Sequence, residues 1–194
     1  MAFNNLFEKL RSTIFPKDKD DIHEDGESSS SINDSEFEDV VFAKTLNENN
    51  GKFFYCENTE EVKVIIKDLI AEFDFENIFC KESELQNILT SVNIPFKGTN
   101  FASCDVILSS CEYLIADQGK VMLSTIQLGP ENVKDLPNKH MVLAYTDQVV
   151  KNISEGMRAL NKRTNQGNPT TITTIGAQGT KEIFVFMIDE KKGV

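Results

Sequence analysis

The chain has 194 residues, of which 40% are hydrophobic, and its 31 acidic and 20 basic side chains give a net charge of −11. This length is enough for one domain with a full core plus an appendage. The sequence has no basic patch of the kind that binds nucleic acid, and no apolar run approaches the roughly 18 residues that span a bilayer. The N-terminus mixes charges with its apolar residues, which excludes a secretory signal, and we expect a cytoplasmic protein.

The first segment repeats apolar side chains at three- and four-residue spacing, which predicts an amphipathic helix over residues 1–16. Residues 17–34 are rich in acids and poor in apolar side chains, and we expect a disordered acidic linker there. The helix either folds back on its own domain or on the sister subunit of a homodimer, or it docks on a different partner. The first reading is favoured because exposed apolar helix faces are unusual in soluble proteins.

Residues 35–194 alternate short apolar runs with amphipathic helices, which favours an α/β fold with a mostly parallel, doubly wound sheet. The first half of this domain predicts helices near residues 35–47, 58–73 and 83–92, and strands over 52–56 and 77–80. Polar residues with capping-box or N-cap character precede these helices, and they are Ser35, Asn58 and Ser83.

The central stretch, residues 104–125, reads as an apolar run, a carboxylate-bearing turn, a short helical piece, a glycine turn and a second apolar run. A loop of turn residues follows over 128–139, and then a strand over 140–145. Thr146 is expected to cap a helix with an apolar face from Val149 to Leu160. The last two strands are predicted over residues 170–175 and 182–188.

The four cysteines and two histidines give no sign of a metal site. The cysteines lie in or beside apolar runs without a C-x-x-C pair, so we expect buried, reduced thiols. His23 lies in the acidic segment, and His140 begins a strand at the wrong end of the sheet for a Ser–His–acid triad. The sequence therefore predicts no metal and no cofactor. The cysteines are Cys56, Cys80, Cys104 and Cys111.

Three groups of polar and small residues follow or precede strands, and ligands in open α/β sheets bind at the carboxyl ends of strands. We expect these groups to meet in one ligand site, where backbone N–H groups cradle an anion and a lysine adds charge. The plainer alternative is that the glycines only make tight turns. The groups are Ser109, Ser110 and Glu112; Asp117, Gln118, Gly119 and Lys120; and Gly176, Ala177, Gln178, Gly179 and Thr180.

Glu112 is the candidate catalytic residue within these groups. A partly buried carboxylate has a raised pKa and can act as a base or as a nucleophile. The alternative is that Glu112 caps a helix and that Lys120 is solvated. No dinucleotide or P-loop glycine pattern accompanies either residue.

Residues 111–125 carry an aromatic residue, Ile-Ala, a glycine turn, an apolar run and a serine, here Tyr113, Ile115, Ala116, Gly119 and Ser124. This segment resembles the identifying segment of the LUD (lactate-utilisation domain) family. The proline-led loop, strand and helix at 136–160 and the strand start at 179–183 are also similar to that family. The resemblance extends in order over about residues 35–194.

The resemblance implies a three-layer, Rossmann-like α/β/α fold of the NagB/RpiA/CoA-transferase-like type. It also implies a link to oxidation of L-lactate to pyruvate, in which iron–sulfur oxidoreductase partner proteins carry the redox chemistry. We therefore expect an accessory, non-redox component that binds a small anionic metabolite at the loops of residues 109–120 and 176–180. The family's Thr-Gly-Thr is replaced by Gln118-Gly119-Lys120, and a short helix expected after Gly176 is missing. The alternatives are a stand-alone isomerase, acyl-CoA transferase or hydrolase that uses Glu112, and a scaffold that acts through its N-terminal helix.

Overall fold

A computed structural model of the chain describes residues 37–129, 135–163, 171–177 and 181–189. The predicted N-terminal helix, the acidic linker and the cap at Ser35 lie outside these residues, as do Gln178, Gly179 and Thr180. None of the helices in the described ranges has the length and apolar character needed to cross a membrane.

Nine strands and five α-helices are found in these ranges. The strands are β1 (Lys52–Cys56), β2 (Ile78–Phe79), β3 (Val106–Ser110), β4 (Tyr113–Ile115), β5 (Lys120–Ser124), β6 (Lys139–Tyr145), β7 (Val149–Val150), β8 (Ile172–Gly176) and β9 (Glu182–Ile188). The helices are α1 (Glu38–Glu48), α2 (Thr59–Phe73), α3 (Ser83–Ser91), α4 (Thr125–Leu128) and α5 (Ile153–Lys162).

The main sheet has five parallel strands in the order β1-β9-β6-β3-β2. Its strands are nearly continuous apolar runs because both faces of a parallel sheet are covered. Phe184 and Phe186 of β9, which lies between β1 and β6, are fully buried. The α/β class, the mostly parallel central sheet and the three-layer, Rossmann-like arrangement are thus confirmed.

A second sheet of four strands has the order β7-β4-β5-β8 and is mostly antiparallel. One sequence prediction is confirmed in part here, and one is wrong. The short helical piece expected between the carboxylate-bearing turn and the glycine turn is present as a 3₁₀ turn at Ala116–Gln118. Residues 113–115 before it form strand β4, and β5 returns beside it as a hairpin. Val149 and Val150, expected on a helix capped by Thr146, form β7 after a 3₁₀ turn, and the helix begins only at Ile153.

The predicted apolar stripe of α2 is confirmed, with Val62, Ile65, Ile66 and Leu69 buried. Its cap is confirmed as well, since the side chain of Asn58 accepts a hydrogen bond from the backbone N–H of Glu61 at 3.1 Å. The predicted cap of α3 is wrong. Ser83 is already helical, and Glu82 at the N-cap makes no capping hydrogen bond because its carboxylate binds Ser110 instead.

The two cap residues give a matched test. Asn58→Ala should lower the free energy of unfolding by about 1 kcal/mol, because it leaves a helix N–H without its acceptor. Ser83→Ala should change that free energy by less than about 0.5 kcal/mol, as an exposed substitution away from any cap. Urea denaturation of both variants measures the difference. Equal losses would contradict the assignment of the caps.

Helix α5 covers one face of the second sheet. Its Ile153, Met157 and Leu160 pack with Tyr113 and Met122 from the β4–β5 hairpin. This is the face that the sequence predicted for residues 153–160. The helix places its last turn, and Arg163 beyond it, beside the start of β4.

Candidate functional site

Glu112 lies between β3 and β4 and is 5% exposed. Its Oε1 accepts hydrogen bonds from Ser124 Oγ at 2.6 Å and from Gln127 Nε2 at 3.2 Å. Ser124 is the N-cap of α4, and Gln127 Oε1 in turn accepts from the backbone N–H of Ser124 at 2.8 Å. A capping box therefore holds one oxygen of a buried carboxylate, and the Glu112 side chain joins the ends of β3 and β5.

Arg163 faces the second oxygen of this carboxylate. Its Nη1 lies 3.7 Å from Glu112 Oε2, and its guanidinium carbon lies 4.8 Å from the centre of the Tyr113 ring. The face of the ring and the nearby carboxylate both attract the guanidinium and hold it at this position. The Arg163 side chain remains 46% exposed, whereas that of Glu112 is 7% exposed. The site thus offers an oriented cation to solvent and keeps its carboxylate inside.

Ser110 and Glu82 form a second polar contact at the same edge of the main sheet. The Glu82 carboxylate follows β2 and accepts from the backbone N–H of Ser110 at 2.8 Å and from Ser110 Oγ at 2.5 Å. Ser110 ends β3, two residues before Glu112. The carboxyl ends of β2, β3 and β5 therefore converge on one polar region, as the rule for open α/β sheets leads one to expect.

Ser109 does not join this region. It is 1% exposed, and its hydroxyl donates to the backbone oxygen of Ser110 and lies 2.7 Å from His140 Nε2. Because a hydroxyl has one proton, we assign the other contact to an Nε2–H of His140 that donates to Ser109 Oγ. Burial, with a smaller effect of Lys181, lowers the pKa of His140 to about 3, so the ring is neutral. The expected ligand contact of Ser109 is thus replaced by a buried Ser–His pair.

The structure also separates the predicted ligand groups. The turn of the β4–β5 hairpin lies between the opposed residues Ile115 and Lys120, and we call this the closed end. Glu112 lies at the opposite end, where its N–H donates to Met122 O at 2.9 Å. Strands advance about 3.3 Å per residue, so the closed end lies roughly 10 Å from Glu112. The group at Glu112 and the glycine turn therefore lie apart, although they were expected to meet in one site. Among the described residues of the second and third groups, Lys120 and Gly176 come together as an opposed pair of β5 and β8. The placement of Gln178, Gly179 and Thr180 stays a prediction.

The closed end of the hairpin packs on helix α1. Gly119 is buried at φ +57°, and a Cβ at this position would lie 2.6 Å from the backbone nitrogen of Leu46. The backbone oxygen of Gln118 accepts from Asn49 Nδ2 at 3.0 Å, and the N–H of Asp117 donates to the backbone oxygen of Lys151 at 3.1 Å. These contacts hold the turn against its neighbours. They agree with the alternative that Gly119 only makes a tight turn.

Several residues of the site were not among the sequence predictions. Ser124 and Gln127 have capping-box spacing, a signal that could have identified them. Glu82 directly follows an apolar strand, so the same carboxyl-end rule applied to β2 would have indicated it. Arg163 lies 51 residues after Glu112 at the end of a helix, and no local pattern marks its role.

A cleft of about 330 Å³ lies at the amino ends of strands β3 and β6, whereas Glu112 follows the carboxyl end of β3. Two of the cleft's charged side chains have partners: Asp105 accepts from the N–H groups of Glu76 and Asn77, and Lys139 pairs with Glu182 at 3.4 Å. Among the described residues no three histidine, cysteine or acidic side chains are placed to hold a metal ion. The cleft is lined by Phe73, Asp74, Phe75, Cys104, Asp105, Pro137, Asn138 and Lys139.

The four cysteines form no disulfide, and three of them are buried while Cys104 is intermediate. Burial raises the pKa of Cys56 and of Cys80 to about 12, which keeps both thiols protonated and unreactive at neutral pH. The prediction of reduced core thiols is confirmed for the buried positions.

Comparisons with known proteins give one family match and one match to a solved structure. The family model described as LUD domain matches residues 40–193. A crystal structure of a DUF162 family protein from Deinococcus radiodurans superposes with a TM-score of 0.60 over 78% of this chain and 96% of that chain. The identity is 15%, so this likeness shows the fold alone. No curated protein matches the chain.

Proposed function

Since the chain belongs to the LUD family, we propose that it is an accessory, non-redox component of lactate utilisation that binds a small anionic metabolite through Arg163. In this proposal the protein acts in the cytoplasm, and iron–sulfur oxidoreductase partners carry the electron transfer. The proposal keeps the NagB/RpiA/CoA-transferase-like type of fold that the resemblance implies. The family membership supports the metabolic setting, and the geometry of the site supports the anionic ligand.

The oriented guanidinium of Arg163 is the observation that carries the ligand class. An arginine presents its N–H donors in a planar fork that matches a carboxylate or phosphate group. Here the Tyr113 ring lies 4.8 Å from the guanidinium and Glu112 Oε2 lies 3.7 Å from its Nη1, so two contacts hold the cation in place before a ligand arrives. Preorganisation of this kind lowers the entropy lost on binding.

Glu112 is the positioning residue in this arrangement. Its Oε1 is engaged by Ser124 and Gln127, and its Oε2 faces Arg163. The carboxylate thus balances part of the charge of the guanidinium and fixes its location. Ser110, half-buried at the end of β3, lies at the same edge and is the remaining predicted residue that this site retains.

A panel of small carboxylates and sugar phosphates, with lactate and pyruvate included, tests the proposal on the full chain. A bound ligand at 100 times its Kd should raise the free energy of unfolding by about 2.7 kcal/mol, which thermal denaturation detects. Arg163→Gln should weaken that ligand by roughly 10- to 100-fold, since hydrogen bonds to charged groups contribute about 1.5–3 kcal/mol. Isothermal titration calorimetry gives the affinities.

Arg158→Gln is the matched control, because Arg158 is an exposed arginine of the same helix, five residues earlier. It should bind as the unmodified chain does. Arg163→Lys should bind more weakly than the unmodified chain, because an ammonium lacks the fork. No ligand in the panel, or equal affinity of the Arg163→Gln and Arg158→Gln variants, would overturn the proposed site.

An enzyme of the same fold is the second candidate, and the burial of Glu112 favours it. Among the described residues, the contact of Glu112 Oε2 is the longer, 3.7 Å one to Arg163, which leaves this oxygen able to accept a proton from a substrate. Turnover of a metabolite by the purified protein alone would support this function. Glu112→Gln should then abolish the turnover, and unchanged turnover would exclude Glu112 as the base.

A further inference from the structure

Strand β8 forms one edge of the second sheet. It pairs with β5 along one side, and within the described ranges no other strand pairs with its opposite side. Its sequence, Ile-Thr-Thr-Ile-Gly, contains no charged residue and no proline. Natural edge strands carry charged residues or proline to prevent pairing with other chains. The β-branched isoleucine and threonine residues of β8 instead favour strand pairing. The edge therefore has the chemistry of an interface.

The hydrogen-bond alternation shows which backbone groups face outward. The N–H of Thr125 donates to the backbone oxygen of Thr171 at 3.2 Å, and the register of β5 and β8 continues from this pair. Hydrogen-bonded and non-hydrogen-bonded pairs alternate along an antiparallel ladder. Ile172, Thr174 and Gly176 therefore direct their N–H and C=O groups away from β5.

We propose that β8 pairs antiparallel with β8 of a second copy of this chain, about a two-fold axis at Thr174. In this register the outward groups of Thr174 bind those of the partner's Thr174. Ile172 binds the partner's Gly176 in the same way, and the partner's Ile172 binds Gly176. The two four-stranded sheets then form one continuous sheet across the dimer.

A second copy is the occupant that the sequence of β8 fits. The alternate residues that face outward are centred on Thr174, so an antiparallel copy satisfies every outward group of Ile172, Thr174 and Gly176 at once. The same register opposes Thr173 to the partner's Ile175, and β-branched cross-strand pairs are favourable. Two-fold pairing of one surface with itself is also the commonest geometry of homodimers.

The dimer should be weak and concentration-dependent. A ladder of five residues buries much less than the roughly 1,200 Å² of a stable interface, so a Kd between about 1 µM and 1 mM is expected. This inference concerns a surface apart from Arg163, and it does not depend on the proposed ligand.

Sedimentation velocity of the full chain over this concentration range tests the pairing. The unmodified chain should shift from monomer to dimer as its concentration rises. Thr174→Pro removes an outward N–H without removing a bond to β5, and should raise the dimer Kd at least tenfold. Thr174→Lys sets two like charges opposite each other at the axis, and should have the same effect. Thr174→Val keeps the backbone donor and should leave the Kd unchanged.

Circular dichroism of each variant establishes that it is folded. If the proline variant does not fold, the lysine variant still tests the pairing. A chain that stays monomeric at every concentration would overturn the proposal. This outcome includes the case where another segment or another protein occupies the edge of β8. A dimer that forms equally well in the proline and lysine variants would overturn it as well, because the two-fold contact would then lie elsewhere.

Discussion

Gly119→Ala should lower the free energy of unfolding by about 2–5 kcal/mol. A left-handed backbone at φ +57° costs an L-residue with a Cβ about 1 kcal/mol or more. The added Cβ would also lie 2.6–2.9 Å from backbone atoms of Thr45 and Leu46. Backbone atoms of a packed helix cannot swing aside as a side chain does, so α1 has to move, and overpacking of this kind costs about 1–3 kcal/mol more. Urea denaturation measures the loss.

Gly98→Ala is the control for this substitution. Its Cβ would meet the side-chain nitrogen of Gln86 at 3.4 Å and the backbone oxygen of Cys80 at 3.8 Å, which are ordinary contacts, and its φ is not in the left-handed region. The free energy of unfolding should change by less than about 1 kcal/mol. A loss at Gly119 no larger than that at Gly98 would show that α1 does not press on the hairpin turn. A large loss would explain why a glycine stands in this turn without any ligand.

The elements that the sequence predicted correctly are those with a long periodic signal. The stripe from Val62 to Leu69 repeats at helical spacing over several turns, and the apolar runs of β1 and β9 are long enough to mark buried parallel strands. Strand β4 has three residues, which is too short for a period to distinguish strand from helix. Its pairing with β5 and β7 is a tertiary effect that overrides local propensity.

The candidate site shows the same limit. Glu112 was found from its position after a strand, because the carboxyl end of a strand is a local feature of the sequence. Its partner Arg163 directly follows helix α5, far along the chain, and the packing of α5 on the second sheet brings the two side chains together. The sequence placed Gly119 in the ligand site because glycine turns bind anions in many proteins. The contact with α1 that accounts for this glycine joins residues more than 70 positions apart.

Acidification should destabilise the protein through His140, and this is the second large effect that we expect. The pKa of His140 is about 3 in the folded chain and about 6.5 in the unfolded chain. Between these values the unfolded state binds a proton that the folded state does not, so stability falls as the pH is lowered from about 6.5. The loss from this group alone should be about 2 kcal/mol between pH 7 and pH 5, and it should increase further towards pH 3.

The measurement is the free energy of unfolding at pH 7 and pH 5 for three chains: the unmodified protein, His140→Gln and His23→Gln. The His140→Gln variant should lose about 2 kcal/mol less than the unmodified protein over this interval. The His23→Gln variant should follow the unmodified protein, because His23 lies in the acidic segment outside the described domain. The comparison between variants cancels the carboxylates, which titrate in all three chains.

Nuclear magnetic resonance of the histidine rings provides a test that does not depend on the stability of any variant. The His140 ring of the unmodified protein should keep the chemical shifts of the neutral Nε2–H tautomer from pH 8 to pH 5, because Nε2 donates to Ser109 in the core. A titration of this ring near pH 6.5 would contradict the buried Ser–His pair. It would also remove the expected acid sensitivity, since both rest on the exclusion of water from the same pair of side chains.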